Sequence, residues 1–284
     1  MLRSNLSQLS FVILLGLAGL VLANISKAQV VQTGRYQTFS YSQAELHQEA
    51  ERRYHEVLQE SARFYQLNQD RPRLHQLRQL GHSLILAAAN WRPEILDWDW
   101  ELHLSSQPDL QALCMAGGKL LVNPDFLDRL ALTPGETSVL LAHEIAHALA
   151  EHHREELSEA RAINQVPGDE LALIWERLDS DLRLQIKLAT LSYLQEQEAD
   201  QIGMLLALEA GVPVLEIISF YRKLARQDQA AGAPQANFQN THPASRSRLS
   251  MALGMGKLWQ VTKPLVQAQA PDSARILAQQ LGLR

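Results

Sequence analysis

The sequence contains few cysteines and no excess of positive charge, and each deficit excludes a class of protein. Cys114 is the single cysteine among 284 residues, so an intramolecular disulfide and a zinc site built from cysteines are both excluded. Lysine and arginine number 26 against 31 aspartate and glutamate, for a net charge of −5. Nucleic-acid-binding proteins usually present a basic face, so we expect no nucleic-acid partner. The hydrophobic fraction of 46% is ordinary for a globular protein with a core.

The sequence also lacks a long apolar run. The run at residues 11–23 holds 13 residues, whereas a membrane-spanning helix needs about 20. Arg3 ahead of this run, and Ser26 and Ala28 after it, are typical of a secretory signal peptide. We therefore expect residues 1–28 to be a signal peptide, with an uncleaved N-terminal membrane anchor as the alternative.

Hydrophobic periodicity in the remaining chain predicts a mostly helical α+β fold, which we expect to form a single domain over residues 29–284. The family resemblance described below implies a core at 45–255, which leaves a helical tail at 256–284. Helices are predicted over 43–67, from Asp70 to about 90, over 124–130, 134–153, 170–210 and 213–228, and from about 245 and about 272; strands are predicted over 98–104 and 119–122. Helix 134–153 begins with a capping box and is apolar nearly all round, which indicates a buried central helix. We expect a small antiparallel or mixed sheet to pack on it.

The central helix contains the motif HEIAH at residues 143–147. Side chains four residues apart lie on one face of a helix, so His143 and His147 can both reach one metal ion. Glu144 lies beside that face, where it can act on a metal-bound water. Two histidines and a glutamate buried in an apolar helix would be costly without a partner, and a zinc ion provides one.

A third zinc ligand is expected in the segment EQEAD at residues 196–200. Glu196 and Asp200 are four residues apart, so Glu196 could bind the metal while Asp200 holds a ligand histidine through its other ring nitrogen. A charged, solvent-facing helix surface is the alternative, and Glu198 is expected to be such a surface carboxylate. His152 and His153 lie about 900° and 1000° of helical rotation beyond His143, so we expect them at a solvated helix end.

These segments, together with the His-Pro segment at residues 242–248, resemble the gluzincin metallopeptidases of the HtpX, Oma and CAAX-prenyl-endopeptidase families. Within that group the sequence is most similar to soluble bacterial envelope members of the BepA kind. The resemblance covers about residues 45–255 and implies a zincin-like domain with one Zn²⁺ per chain. It also implies that His143, His147 and Glu196 bind zinc, and that Glu144 is the catalytic base.

The resemblance implies further roles. Asp200 would orient a ligand histidine. His242 would lie near the zinc, either as a latch on its open position or as a stabiliser of the oxyanion; without the resemblance it is simply a surface histidine. Arg248 matches the arginine that reaches back into the site, with Arg246 as the alternative.

The strand ahead of the central helix is the predicted substrate-binding element. Its candidate residues are Gly117, Gly118, Leu120, Leu121 and Val122. An exposed strand edge binds an extended peptide backbone by β-augmentation. The preceding segment, residues 111–116, departs from the family's usual Asn-Ala-Phe stretch and proline, so the shape of this subsite is expected to differ. Cys114 has no His/Asn partner set, and we expect it to be a small packed residue.

Together these features predict a zinc-dependent endopeptidase of the bacterial cell envelope, in which Glu144 activates a metal-bound water for attack on a peptide bond. The expected substrates are misfolded or membrane-associated proteins in the periplasm or an equivalent lumenal space. Association with a membrane or with outer-membrane assembly is compatible with export, and the oligomeric state is left open. A zinc-stabilised, latched or inactive binding or chaperone-like module is the alternative, and a non-peptide metallohydrolase is a third.

Overall fold

A computed structural model describes residues 26–30, 32–64, 66–108, 110–164, 170–230 and 245–269. The first half of the chain contains β1 (Ser26–Gln29), β2 (Tyr36–Phe39), α1 (Gln43–Arg63), α2 (Arg71–Ala88), a 3-10 helix (Pro93–Asp97), β3 (Glu101–Leu104), β4 (Ala112–Met115), β5 (Lys119–Val122) and α3 (Pro124–Arg129). The second half contains α4 (Pro134–Leu149), α5 (His152–Asn164), α6 (Leu171–Ser180), α7 (Leu182–Glu209), α8 (Val214–Ala230) and α9 (Ser245–Gln269). The predicted α+β class, mostly helical with a small sheet, is confirmed.

The three-stranded sheet has the order β3-β5-β4, with β5 parallel to β3 and antiparallel to β4. Strand β5 is therefore central and all four of its residues are buried. The prediction that Leu120, Leu121 and Val122 form an exposed edge is wrong, because β4, a strand that the sequence pattern did not reveal, covers that side. The mixed topology agrees with the expected sheet.

The central helix α4 begins as predicted. The Thr133 side chain accepts from the Glu136 N–H while the Glu136 side chain accepts from the Thr133 N–H, which completes the capping box. Helix α4 packs against α2, α7 and α8 and against strand β4, so its surface is buried on nearly every side. The site residues on α4 are thereby held in the middle of the main hydrophobic core.

Helix α4 ends at Leu149, earlier than the predicted residue 153. Glu151 adopts a left-handed backbone with φ of 51°, and α5 begins directly after it at His152. A left-handed conformation costs a non-glycine residue about 1–2 kcal/mol. Arg92 and Arg154 both hold the Glu151 carboxylate, and these contacts stabilise the break.

Other helices differ from the prediction in length or in continuity. The region 170–210 is divided at Asp181, whose side chain caps α7. Helix α9 extends to Gln269, well beyond a short helix. The predicted helix from about residue 272, the apolar run at 11–23 and His242 lie outside the described residues.

The N-terminal strands β1 and β2 pair as an antiparallel hairpin. Residues 26–28, at the end of the segment assigned to the signal peptide, belong to β1. Strand β2 packs on α5 and buries Gln37 and Phe39. Within the described residues, no helix combines the length and the apolar character needed to cross a membrane.

Candidate metal centre

Three side chains from two helices converge on one point. The Nε2 atoms of His143 and His147 are 3.3 Å apart, and each lies 3.4 Å from a carboxylate oxygen of Glu196. Ligand atoms bound to a tetrahedral zinc at about 2.0–2.2 Å are about 3.3–3.6 Å from one another. The spacing and chemistry of His143, His147 and Glu196 therefore fit a zinc ion with one further coordination position.

Close packing of α4 against α7 places Glu196 opposite the two histidines. At Gly203 of α7, a Cβ atom would lie 2.9 Å from the backbone N and Cα of His143, which is closer than real Cβ contacts allow. Only glycine permits this approach of the two helices. The ligand set thus depends on a small residue that carries no ligand atom itself.

Asp200 orients His143 from the side away from the metal. Its carboxylate oxygen lies 3.0 Å from His143 Nδ1, and it accepts two hydrogen bonds of 2.7 Å from Arg248 and one of 2.9 Å from the Tyr221 hydroxyl. Burial raises the pKa of Asp200, but His143 and Arg248 outweigh burial and hold the pKa at about 2. Asp200 is therefore an ionised, fully buried carboxylate.

The carboxylates around His143 favour a cation. Burial lowers the pKa of His143, yet Asp200 and Glu196 more than compensate and raise it to about 10. The same negative charge favours a divalent cation between the ligand atoms. The charge of the site and the spacing of its ligand atoms therefore both suit zinc.

The second ligand histidine, His147, has a partner that the sequence pattern did not predict. Its Nδ1 lies 3.0 Å from Nδ1 of His152, and Nε2 of His152 lies 3.0 Å from Glu198. Both His152 and Glu198 are buried, so the predictions of a solvated histidine and a surface carboxylate are wrong. A rotation of about 900° from His143 to His152 requires a continuous helix, whereas the break at Glu151 turns His152 back toward the site.

The surroundings of His152 and Glu198 keep the imidazole neutral and the carboxylate ionised at neutral pH. Burial lowers the pKa of His152 to about 4, so its ring is neutral at neutral pH. Burial raises the pKa of Glu198, but hydrogen bonds from His152, Arg35 and Thr33 outweigh it and hold the pKa at about 2. A neutral imidazole thus lies between a ligand histidine and a carboxylate.

Glu144 faces a cleft of about 840 Å³ beside the ligand atoms. Both His147 and Glu196 also line this cleft, together with residues of α6 and of the first half of α7. Residues of strand β4, including Cys114, line it as well. A polypeptide in the cleft would therefore contact both the ligand cluster and Glu144.

The paired glycines form the turn between β4 and β5 instead of facing the cleft. Gly117 and Gly118 have φ of 77° and 84°, and a Cβ at Gly118 would lie 2.5 Å from the Trp100 ring. Left-handed backbone and close packing account for both glycines, and their contact with substrate stays a prediction. Burial and the nearby Glu144 raise the pKa of Cys114 well above its usual value, which agrees with a packed thiol.

Comparison of the sequence with known proteins identifies relatives of this chain. The model of peptidase family M48 matches residues 72–255. The mitochondrial metalloendopeptidase OMA1 of Bos taurus is 29% identical over 169 residues, and that of Saccharomyces cerevisiae is 32% identical over 162 residues. These alignments cover 55% and 53% of this chain, but 32% and 45% of the relatives, so the chain spans less than half of their length.

Proposed function

The chain belongs to peptidase family M48, and from that membership we propose that it is a zinc-dependent endopeptidase of a bacterial cell envelope. One observation carries the proposal: Glu144 lines the same cleft as the ligands His147 and Glu196. A binding or chaperone-like module would not require a carboxylate at this place.

The residues divide the chemistry between them. His143, His147 and Glu196 hold the zinc, which when bound acts as a Lewis acid and lowers the pKa of a water. The Glu144 carboxylate accepts a proton from the attacking water and passes it to the leaving amine. Asp200 keeps Nδ1 of His143 engaged, so that Nε2 of that ring is directed at the metal position.

Strand β4 is the proposed binding element for the substrate backbone. It is an edge strand of the sheet and lines the cleft, and within the described chain no backbone hydrogen bond joins its free edge to another segment. An extended peptide can add to such an edge by β-augmentation. This geometry would place a peptide bond of the substrate beside Glu144.

The proposed substrates are misfolded or membrane-associated proteins outside the cytoplasm, in the periplasm or an equivalent lumenal space. The signal-like pattern of residues 1–28 supports this location. Proteomics of a Glu144→Gln protein used as a trap in the native envelope would report both substrate and compartment.

A Glu144→Gln variant tests the proposed activity. It is expected to keep its zinc and its fold but to lose casein hydrolysis by about 10²–10⁴-fold, because the amide cannot accept the proton of the attacking water. Glu159→Gln, at an exposed position on α5, is the control and should cleave casein like the wild type. Full activity of Glu144→Gln would refute the proposal; a wild-type protein that binds zinc yet cleaves nothing would favour the binding module.

A further inference from the structure

The two ligand histidines are held in different ways. The His143 side chain is 3% exposed and its Nδ1 contacts the carboxylate of Asp200, whereas the His147 side chain is 21% exposed and its Nδ1 contacts a second histidine, His152. Packing alone therefore restrains His147 less than His143. The hydrogen bond from its Nδ1 has a larger share in fixing the direction of its ring.

The hydrogen bonds beyond His147 have a single consistent direction. When Nε2 of His147 faces the metal, its Nδ1 carries the proton and donates to Nδ1 of His152 over 3.0 Å. Since Nδ1 of His152 is then an acceptor, its Nε2 carries the proton and donates to Glu198 over 3.0 Å. Each ring nitrogen thus has one defined role.

Arg35, in the turn of the β1–β2 hairpin, completes the chain of contacts. Its guanidinium donates to Glu198 at 2.6 and 2.9 Å and to Glu155 at 2.5 and 2.8 Å. Thr33 of the same turn also donates to Glu198. Both carboxylates are buried, and the positive charge of Arg35 offsets the free-energy cost of burying them.

The hairpin lies outside the part of the chain that the family model matches, which begins at residue 72. Arg35 nevertheless reaches Glu198, 163 residues further along the chain and two residues beyond the ligand Glu196. A segment that contains no ligand is in this way joined to the zinc site by continuous hydrogen bonds.

We propose that His152, Glu198 and Arg35 form a positioning relay for the zinc ligand His147, through which the segment that carries Arg35, downstream of the expected signal peptide, sets the zinc affinity of the site. The proposal rests on the zinc site of the proposed function. None of the three residues binds the metal; each acts through the next one.

The first test removes the acceptor at His152. His152→Phe keeps a ring of similar size but cannot accept from His147, and the zinc affinity of the full chain, measured by chelator competition, is expected to fall about 10–100-fold. His152→Asn, whose amide oxygen can replace Nδ1 as the acceptor, should recover most of that loss. If His152 only filled space, the smaller asparagine side chain would not restore the zinc affinity.

The second test asks whether Arg35 acts through His152. Arg35→Met should weaken zinc binding several-fold in the wild-type background and have no further effect in the His152→Phe background, because residues in one relay are not additive. Lys223→Met is the matched control. Like Arg35→Met, it removes the cation from a buried carboxylate on a helix that carries zinc ligands, here Glu136 on α4. It should lower stability without changing zinc affinity.

Folding is checked by urea unfolding of each chelator-treated variant. Wild-type zinc affinity in His152→Phe, or an equal effect of Arg35→Met in both backgrounds, would overturn the relay. If the wild type itself bound no zinc, the proposed function would fail instead, so the two failures can be told apart.

Discussion

Two buried carboxylates lie close to the ligand histidines, and both have partners of complementary charge or hydrogen-bonding role. Asp200 is fully buried against Arg248, and Glu198 is buried against His152 and Arg35. Such groups are tolerated in a core because every carboxylate oxygen is occupied. The orientation of the zinc ligands is therefore linked to the stability of the fold.

Replacement of Asp200 by asparagine tests this link. Asp200→Asn keeps the volume but leaves the buried Arg248 without its counter-charge, so the free energy of unfolding of the chelator-treated protein should fall by about 3–5 kcal/mol. Tyr221→Phe, which removes one neutral donor to the same ionised carboxylate but leaves the charge pair intact, should cost less, about 1.5–2 kcal/mol. Urea unfolding measures both, and equal losses would contradict the assigned charge pairing.

At the scale of elements, the site is an interface between helix α4, which carries two ligands, and helix α7, which carries the third. Local signals define each helix separately: the capping box at Thr133 begins α4 and the Asp181 cap begins α7. The distance between the two helices depends on Gly203, where their backbones come into contact. A change in this distance moves Glu196 relative to both histidines.

A Gly203→Ala variant should therefore behave unlike an ordinary glycine replacement in a helix. Alanine at an unhindered helical position stabilises by about 0.5–1 kcal/mol, as we expect for Gly254→Ala in α9, where an added Cβ meets nothing within 4 Å. At Gly203 the clash with His143 should instead destabilise by about 1–3 kcal/mol and weaken zinc binding. Thermal unfolding and chelator competition measure these effects; stabilisation at Gly203 would contradict the close helix contact.

At the scale of the whole molecule, the zinc position connects two parts of the core that are distant in sequence. A zinc ion held by His143, His147 and Glu196 would join α4 to α7, and Asp200 joins the same place to α9 through Arg248. A ligand that binds the folded state alone adds to the free energy of unfolding. The global stability of the protein should therefore depend on the metal.

Zinc removal measures that dependence. With free zinc at about a thousand times its dissociation constant, the stabilisation is about 4 kcal/mol, which corresponds to a fall in Tm of about 10 °C when a chelator is added. Glu196→Ala, which lacks a ligand, should show the same Tm with and without the chelator. Calorimetry would contradict the site if the wild type were equally insensitive.

The sequence by itself determined the parts of this site that follow from local spacing. A turn of helix places His143 and His147 on one face, and the Thr133 capping box specifies where that helix begins, because both depend on residues three or four apart. The same spacing proposed Glu196 and Asp200, with a solvent-facing surface as the alternative, and the resemblance implied the same two roles. Helix periodicity also indicated the mostly helical class.

Only the tertiary structure decided which groups meet from distant segments. The left-handed Glu151 turns His152 toward His147, strand β4 takes the edge that the pattern gave to β5, and Arg35 pairs with Glu198. Periodicity describes neighbours along one element, whereas a chain reversal and a strand order depend on packing between elements. The positioning of His147 is therefore a property of the folded molecule.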